Sequence, residues 1–171
     1  MTDLLRLPLH ELHLELGGKA PFIVMDDMPV HYPAGVMAEH LQVRASAGLF
    51  DVSHMGQVVL RPKTGMEALG RALERLMPVD VLGLQEGRQR YGLFTSEIGG
   101  ILDDLMFANR GSDYLLVVNA GRKAHDFAHL TRHLADVAEI ERRHEQYIGV
   151  GNALRLRAQR SSLGPDSSAA S

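Results

Sequence analysis

Apolar residues recur along this chain at two spacings, and each spacing predicts a different kind of element. Spacings of three or four predict helices over residues 8–16, 34–47, 64–78 and 123–140. Short apolar runs bounded by polar or Gly-containing loops predict strands over residues 57–60, 89–96, 101–108 and 114–119. The loops joining the last three runs are too short for a crossover between parallel strands. Helices among antiparallel hairpins therefore predict an α+β fold, a hairpin meander with packed helices.

The start of the helix over residues 64–78 has a more specific signal. Thr64 and Glu67 stand at the spacing of a capping box. In that motif the Thr hydroxyl and the Glu carboxylate accept hydrogen bonds from free backbone N–H groups at the helix start. The pair predicts that the helix begins directly after Thr64.

Two carboxylates lie inside an otherwise apolar strand, in the run GGILDDLMF at residues 99–107. Successive strand residues point to opposite faces, so Asp103 and Asp104 are expected on different sides of the sheet. An ionised carboxylate facing a packed layer is costly unless it is paired or hydrogen-bonded. Two interpretations stay open. One is a carboxylate in a dry pocket that steers a nitrogen substrate or a developing positive charge, and the other is a structural salt bridge or turn contact.

The segment DVSHM at residues 51–55 brings Asp51, Ser53 and His54 close together in the sequence. A catalytic triad needs the base within hydrogen-bonding reach of the hydroxyl. Adjacent side chains such as Ser53 and His54 diverge in an extended strand, so a hydrolase is not expected. The segment predicts a polar cluster around a turn, or one wall of a ligand pocket.

Histidines at positions 125, 129 and 133 follow one another at intervals of four. This spacing can chelate a metal ion. However, the three positions fall on the side of the predicted helix away from the apolar stripe of Phe127, Leu130 and Leu134. A solvated helix face is the expectation, with no metal site.

Composition narrows the classes of function. The 171 residues are enough to bury a core, and a net charge of -3 gives no electrostatic reason to expect nucleic acid or an anionic membrane as partner. The chain contains no Cys, which excludes disulfides, thiolate metal sites and cysteine nucleophiles. Neither a signal peptide nor an apolar run of membrane-spanning length is visible. A soluble cytoplasmic protein is expected.

Several longer runs, in the same order and at similar spacing, resemble glycine cleavage T proteins, the folate-dependent aminomethyltransferases. These runs are MPVHY at 28–32, AGLFDVSHMG at 47–56, YGLFTSEIGGILDD at 91–104 and LVVNAG at 116–121, with Asp126 after them. The resemblance implies a partial T-protein folate-binding domain over residues 1–146, without the C-terminal barrel of this longer family. Residues 147–171 differ in composition and are expected to form a disordered tail, as a frameshift or a truncated gene would produce.

The resemblance also implies a reaction. Members of the family transfer the one-carbon unit of an aminomethyl group, carried on the lipoyl arm of the H protein, to tetrahydrofolate, and ammonia is released. By motif position, Asp104 is the catalytic carboxylate that orients the attacking folate nitrogen and stabilises the cationic carbon. Met55, Tyr91 and Asn119 fall on positions that line the folate pocket, where Met and Tyr pack on the ligand and the Asn amide pairs with its polar edge.

Two other functions remain as alternatives to the aminomethyltransferase. One is a non-catalytic folate-binding or partner-binding fragment of the same superfamily. The other is a folate domain of the kind found in sarcosine and dimethylglycine oxidases. A folate domain without its neighbouring domains should expose an apolar patch where they would pack.

Overall fold

The computed structural model describes residues 5–19, 26–46 and 48–143, and the predicted tail at 147–171 lies outside this described part. The described residues form two compact units that divide after His54. In the second unit the sheet and its helices confirm the α+β prediction, and along the described part of the chain no helix is long and apolar enough to cross a membrane.

In the first unit, the described residues form two short strands and two helices. Strands β1 (Leu5–Arg6) and β2 (Asp26–Asp27) pair in parallel. The predicted helices are present as α1 (His10–Glu15) and α2 (Val36–Ala45). Helix α2 has no buried residue, and its apolar side chains Val36, Met37 and Leu41 are between 57% and 70% exposed. Helix α2 therefore exposes apolar side chains to solvent.

The second unit is built on one antiparallel sheet of five strands. Its elements in chain order are β3 (Gly56–Pro62), α3 (Met66–Glu74), β4 (Gln89–Thr95), β5 (Ile101–Asn109), β6 (Tyr114–Val118), α4 (Lys123–Leu134) and β7 (Ala138–Arg143). The strand order across the sheet is β4-β5-β6-β3-β7. Hairpin pairing of β4 with β5 and of β5 with β6 confirms the predicted meander.

Two local predictions were wrong. The helix predicted over residues 123–140 ends at Leu134, and Ala138–Arg143 instead forms strand β7 on the free edge of β3. The pairing gives the edge of β3 backbone partners, which a longer helix would not provide. The capping box at Thr64 is also absent, because α3 is capped by Gly65 at a φ of 120° with no side-chain bond. Glu67 bonds Arg71 one turn later instead.

The two faces of the sheet differ in their surroundings. One face packs under α3 and α4, and its fully buried core includes Val58, Leu60, Leu69, Leu73, Phe94, Leu105, Phe107, Leu116, Leu130 and Leu134. Side chains at alternate positions on β4, β5 and β6 point to the opposite face. There Leu93, Asp104, Met106 and Val117 are only half-buried, and Tyr91 is 54% exposed. The open face therefore carries Asp104 and Tyr91, two of the residues predicted for the folate site.

Candidate active site

Strand register brings the four residues predicted for the site to one end of the open face. Asp104 pairs with Leu93 of β4, and Tyr91 lies two residues earlier on the same face. Asn119 directly follows Val118, whose partners are Leu105 and Gly56. Asn119 therefore stands between Asp104 on one side and Met55 on the other. The hairpins β4–β5 and β5–β6 bring Tyr91 and Asn119 to the same end of the face, although they are 28 positions apart along the chain.

Hydrogen bonds hold the carboxylate of Asp104 in place. The side-chain nitrogen Nδ2 of Asn119 lies 2.9 Å from Asp104 Oδ1 and 3.1 Å from the backbone oxygen of Asp104. The hydroxyl of Tyr91 also contacts this carboxylate, and the hydrogen bond raises the pKa of Tyr91 above its ordinary value. A half-buried carboxylate with two donors is fixed in orientation while it stays open to a ligand.

Asp103 points toward the helix layer and meets a second carboxyl group. Asn119 Nδ2 donates to Asp103 Oδ1 across 3.0 Å. Asp126 of α4 is completely buried, and its side chain hydrogen-bonds Asp103. Burial first, and then the contact with Asp103, raise the pKa of Asp126 to about 6. Of the two interpretations left open by the sequence, the structural one applies to Asp103. Its partners are the carboxyl group of Asp126 and the amide of Asn119, and not the basic group of a salt bridge.

The histidine series on α4 is only partly the solvated face that its spacing predicts. His125 and His133 are exposed, but His129 is half-buried against Phe94, with 5.3 Å between ring centroids. Burial, together with the neighbouring histidines and Arg132, lowers the pKa of His129. Among the described residues, no group of three His, Cys, Asp or Glu side chains is arranged to hold a metal ion.

A separate polar cluster in the first unit confirms the predicted turn at Asp51. Ser53 donates to Asp51 Oδ1 from its backbone nitrogen at 2.8 Å and from its hydroxyl at 2.5 Å. His13 Nε2 lies 2.7 Å from Asp51 Oδ2, and His13 Nδ1 lies 2.7 Å from the hydroxyl of Tyr32. Burial alone would raise the pKa of Asp51, but the bonds from Ser53 and His13 hold it below its ordinary value.

This cluster does not have the geometry of a hydrolase. A nucleophilic serine donates its proton to a histidine, whereas the Ser53 hydroxyl donates to Asp51. The cluster instead forms one wall of a cavity of about 410 Å³, lined also by Pro29, Val43 and Phe50. His13 was missed at the sequence level because it lies 38 residues from Asp51 and no local motif contains it.

Comparison with known proteins shows which family the sequence belongs to. The sequence matches the family described as the GCVT N-terminal domain over residues 9–151. It is 40% identical over 144 residues to the mitochondrial aminomethyltransferase of Dictyostelium discoideum, across 84% of this chain and 35% of that protein. It is 47% identical over 132 residues to the aminomethyltransferase of Rubrobacter xylanophilus, across 77% of this chain and 34% of that protein.

The fold matches a solved structure as well. The glycine cleavage system aminomethyltransferase T from Bartonella henselae superposes with a TM-score of 0.74 and 37% identity, over 82% of this chain and 38% of that one. The chain thus spans about a third of the length of the relatives it matches. Since the family match extends over most of the sequence, the chain belongs to the GCVT N-terminal domain family, that of the glycine cleavage T proteins.

Proposed function

We propose that this chain supplies the folate-binding face of an aminomethyltransferase that transfers a one-carbon unit to tetrahydrofolate. The donor would be the aminomethyl group on the lipoyl arm of an H protein, and the products would be methylenetetrahydrofolate, ammonia and the reduced lipoyl arm. One observation carries the proposal: the carboxylate of Asp104 is fixed by Asn119 and Tyr91 on the open face of the sheet. The family membership agrees with it.

The chemistry needs a negative charge at this place. As the aminomethyl carbon breaks its bond to the carrier, it becomes electron-poor, and a fixed carboxylate nearby lowers the energy of that state. The same carboxylate can accept a hydrogen bond from the folate N–H, which aligns the nitrogen lone pair with the carbon. Because Asn119 and Tyr91 hold Asp104 beforehand, the site does not have to reorganise during the reaction.

Contacts within the site support a role for each of the other predicted residues. The Nδ2 group of Asn119 is occupied by the two aspartates, so its carbonyl oxygen Oδ1 is the atom that would accept a hydrogen bond from the ligand. The ring of Tyr91 is exposed on one side of Asp104 and offers a flat apolar surface to an aromatic ligand. Met55 stands beyond Asn119 in register, and its flexible thioether suits packing against a ring.

Folate binding without transfer is the second candidate. Asp104 is half-exposed, and water near a charged group weakens its electrostatic effect on a reacting atom. Binding depends less on this effect, because hydrogen bonds and ring packing persist when the site is partly wet. The two candidates differ in whether bound folate accepts the one-carbon unit.

Calorimetry of tetrahydrofolate binding under anaerobic conditions tests the proposal. Asp104→Asn keeps the shape of the side chain but removes its charge, and it should weaken binding about tenfold or more, as expected for loss of a charged hydrogen bond. Asp136→Asn is the matched control, because Asp136 is exposed in the turn after α4. Saturable binding that is lost only in Asp104→Asn supports the site, and equal binding by both variants contradicts it.

A transfer assay then separates the two candidates. The chain is mixed with aminomethyl-loaded H protein and tetrahydrofolate, and ammonia release is measured over time. Release that depends on both reactants and fails with Asp104→Asn supports the aminomethyltransferase. Folate binding with no ammonia release supports the binding function.

A further inference from the structure

A buried pair of acids lies behind the site, on the helix side of the sheet. Asp103 Oδ2 and Asp126 Oδ2 are both buried, and neither has a hydrogen-bond donor among the described residues. The two side chains nevertheless hydrogen-bond each other. Two carboxylates in contact resist being ionised together, since the like charges repel and little water is present to screen them. One shared proton accounts for the contact and for both oxygens without a donor.

Asp126 is the better holder of this proton. Its side chain is completely buried in the first turn of α4, and the other oxygen of its carboxyl group, Oδ1, has only a 3.2 Å contact with His125. Asp103 also receives a hydrogen bond from Asn119, which stabilises a negative charge on it. A neutral Asp126 that donates to a charged Asp103 satisfies both groups.

We propose that Asp126 is a positioning residue: its protonated carboxyl group donates to Asp103, and this keeps the amide of Asn119 directed at both Asp103 and Asp104. Asn119 Nδ2 lies within 3.0 Å of Oδ1 on each aspartate, so a rotation or shift of Asp103 moves the donor that fixes Asp104. An effect of Asp126 on folate binding rests on the function proposed above. Its effect on the orientation of the Asn119 amide does not depend on that function.

Loss of the proton should disturb this arrangement. Ionised Asp126 repels Asp103, and the pair must separate or admit water. In the described part of the chain, the charged and titratable groups next to the pair include Asp104 on β5, Tyr91 on β4 and His125 on α4. His125 is the one whose side-chain type titrates in the same range, so it needs its own control.

NMR of the full chain without folate is the decisive experiment. The carboxyl ¹³C signals of Asp103 and Asp126, and the side-chain NH₂ signals of Asn119, are followed from pH 4.5 to 7.5. We expect a common step near pH 6 in all three. Asp126→Asn donates through its amide at every pH and should remove the step while the Asn119 signal stays at its low-pH position. His125→Gln should retain the step.

Other outcomes overturn the proposal. A step that disappears in His125→Gln assigns the titration to His125, and Asn119 signals that ignore pH show that the pair does not act on the amide. Asp126→Leu has a similar size without a donor, and it should displace the Asn119 signal at all pH values. If Asp126→Leu does not fold, the comparison of wild type with Asp126→Asn still decides.

Folate binding provides the second readout. In the wild type, the dissociation constant for tetrahydrofolate should rise about tenfold between pH 5 and 7.5, as for the loss of one hydrogen bond to a charged group. Asp126→Asn should lack this rise. A pH step in Asn119 with no folate binding refutes the proposed function but leaves the positioning role. Folate binding with a silent Asn119 refutes the positioning role alone.

Discussion

The amide nitrogen of Asn119 lies 2.9 Å from Oδ1 of Asp104 and 3.0 Å from Oδ1 of Asp103, so a single side chain joins the open face of the sheet to the acid pair beneath α4. This is possible because Asn119 follows the last residue of β6, where the backbone leaves the sheet. The orientation of the exposed carboxylate is therefore set partly by groups that a ligand cannot touch.

Removing the amide tests this link. Asn119→Ala leaves both aspartates without their shared donor, and it should weaken tetrahydrofolate binding about tenfold and lower the free energy of unfolding by about 1–3 kcal/mol. The matched control is Asn109→Ala at the opposite end of β5, where the side chain bonds the backbone of Leu84 and Gly111. Calorimetry and urea unfolding of both variants give the answer. The link is refuted if the two variants bind folate equally well.

Packing between α4 and the sheet should dominate the stability of the second unit. Leu130 is completely buried among the strand side chains, and Leu130→Ala should cost about 2–5 kcal/mol through lost contacts and a residual cavity. Ile98→Ala is the control, because Ile98 is 96% exposed in the β4–β5 turn. Urea unfolding measures both. A small effect at Leu130 would show that α4 does not depend on this core.

Elements whose pattern is local were predictable from the sequence. Strands β4, β5 and β6 are apolar runs joined by short hairpins, so neither pairing nor direction needed long-range information. Strand β7 was not predictable, because Ala138–Arg143 is largely charged and is an edge strand. Val137 and Ile140 also continued the apolar spacing of α4 beyond its true end.

The candidate site also has a part that the sequence indicated and a part that it did not. Strand register brings Asp104, Tyr91, Asn119 and Met55, the residues that the resemblance indicated, to one end of the open face, and their roles in binding and transfer stay predictions. The contact between Asp103 and Asp126 joins residues 23 positions apart across two layers. Neither helix nor strand periodicity encodes such a contact, since it depends on how α4 is placed on the sheet. A pair of adjacent aspartates in an apolar strand indicated only that some partner was required.

The cluster around Asp51 should control the stability of the first unit. Asp51 accepts three hydrogen bonds, two from Ser53 and one from His13, and its pKa is held low. Its carboxylate therefore contributes stability above its ordinary pKa, and this contribution is lost as the pH falls through the depressed pKa of the folded state. Asp51→Ala should cost about 1–3 kcal/mol at pH 7 and much less at pH 3.

Hydrogen exchange of the backbone amides in α1 reports this unit separately from the sheet. The Asp51→Ala variant should lose protection there at pH 7, while Glu11→Gln, an exposed change on the same helix, should not. Equal protection in the two variants would show that the cluster does not hold α1.

The acid pair predicts an unusual pH dependence for the second unit. The pKa of Asp126 is raised from 3.8 to about 6 by burial and by Asp103, so the folded chain keeps a proton that the unfolded chain releases between these values. The free energy of unfolding should therefore fall by up to about 3 kcal/mol as the pH rises from about 4 to 6, at about 1.4 kcal/mol per pH unit. Above about pH 6 it should level off. Asp126→Asn carries no titrating proton, so urea unfolding of this variant should not show the fall between about pH 4 and 6. The control Asp136→Asn should show the same fall as the wild type. A wild-type curve that rises through the same window would mean that Asp126 is already ionised in the folded chain.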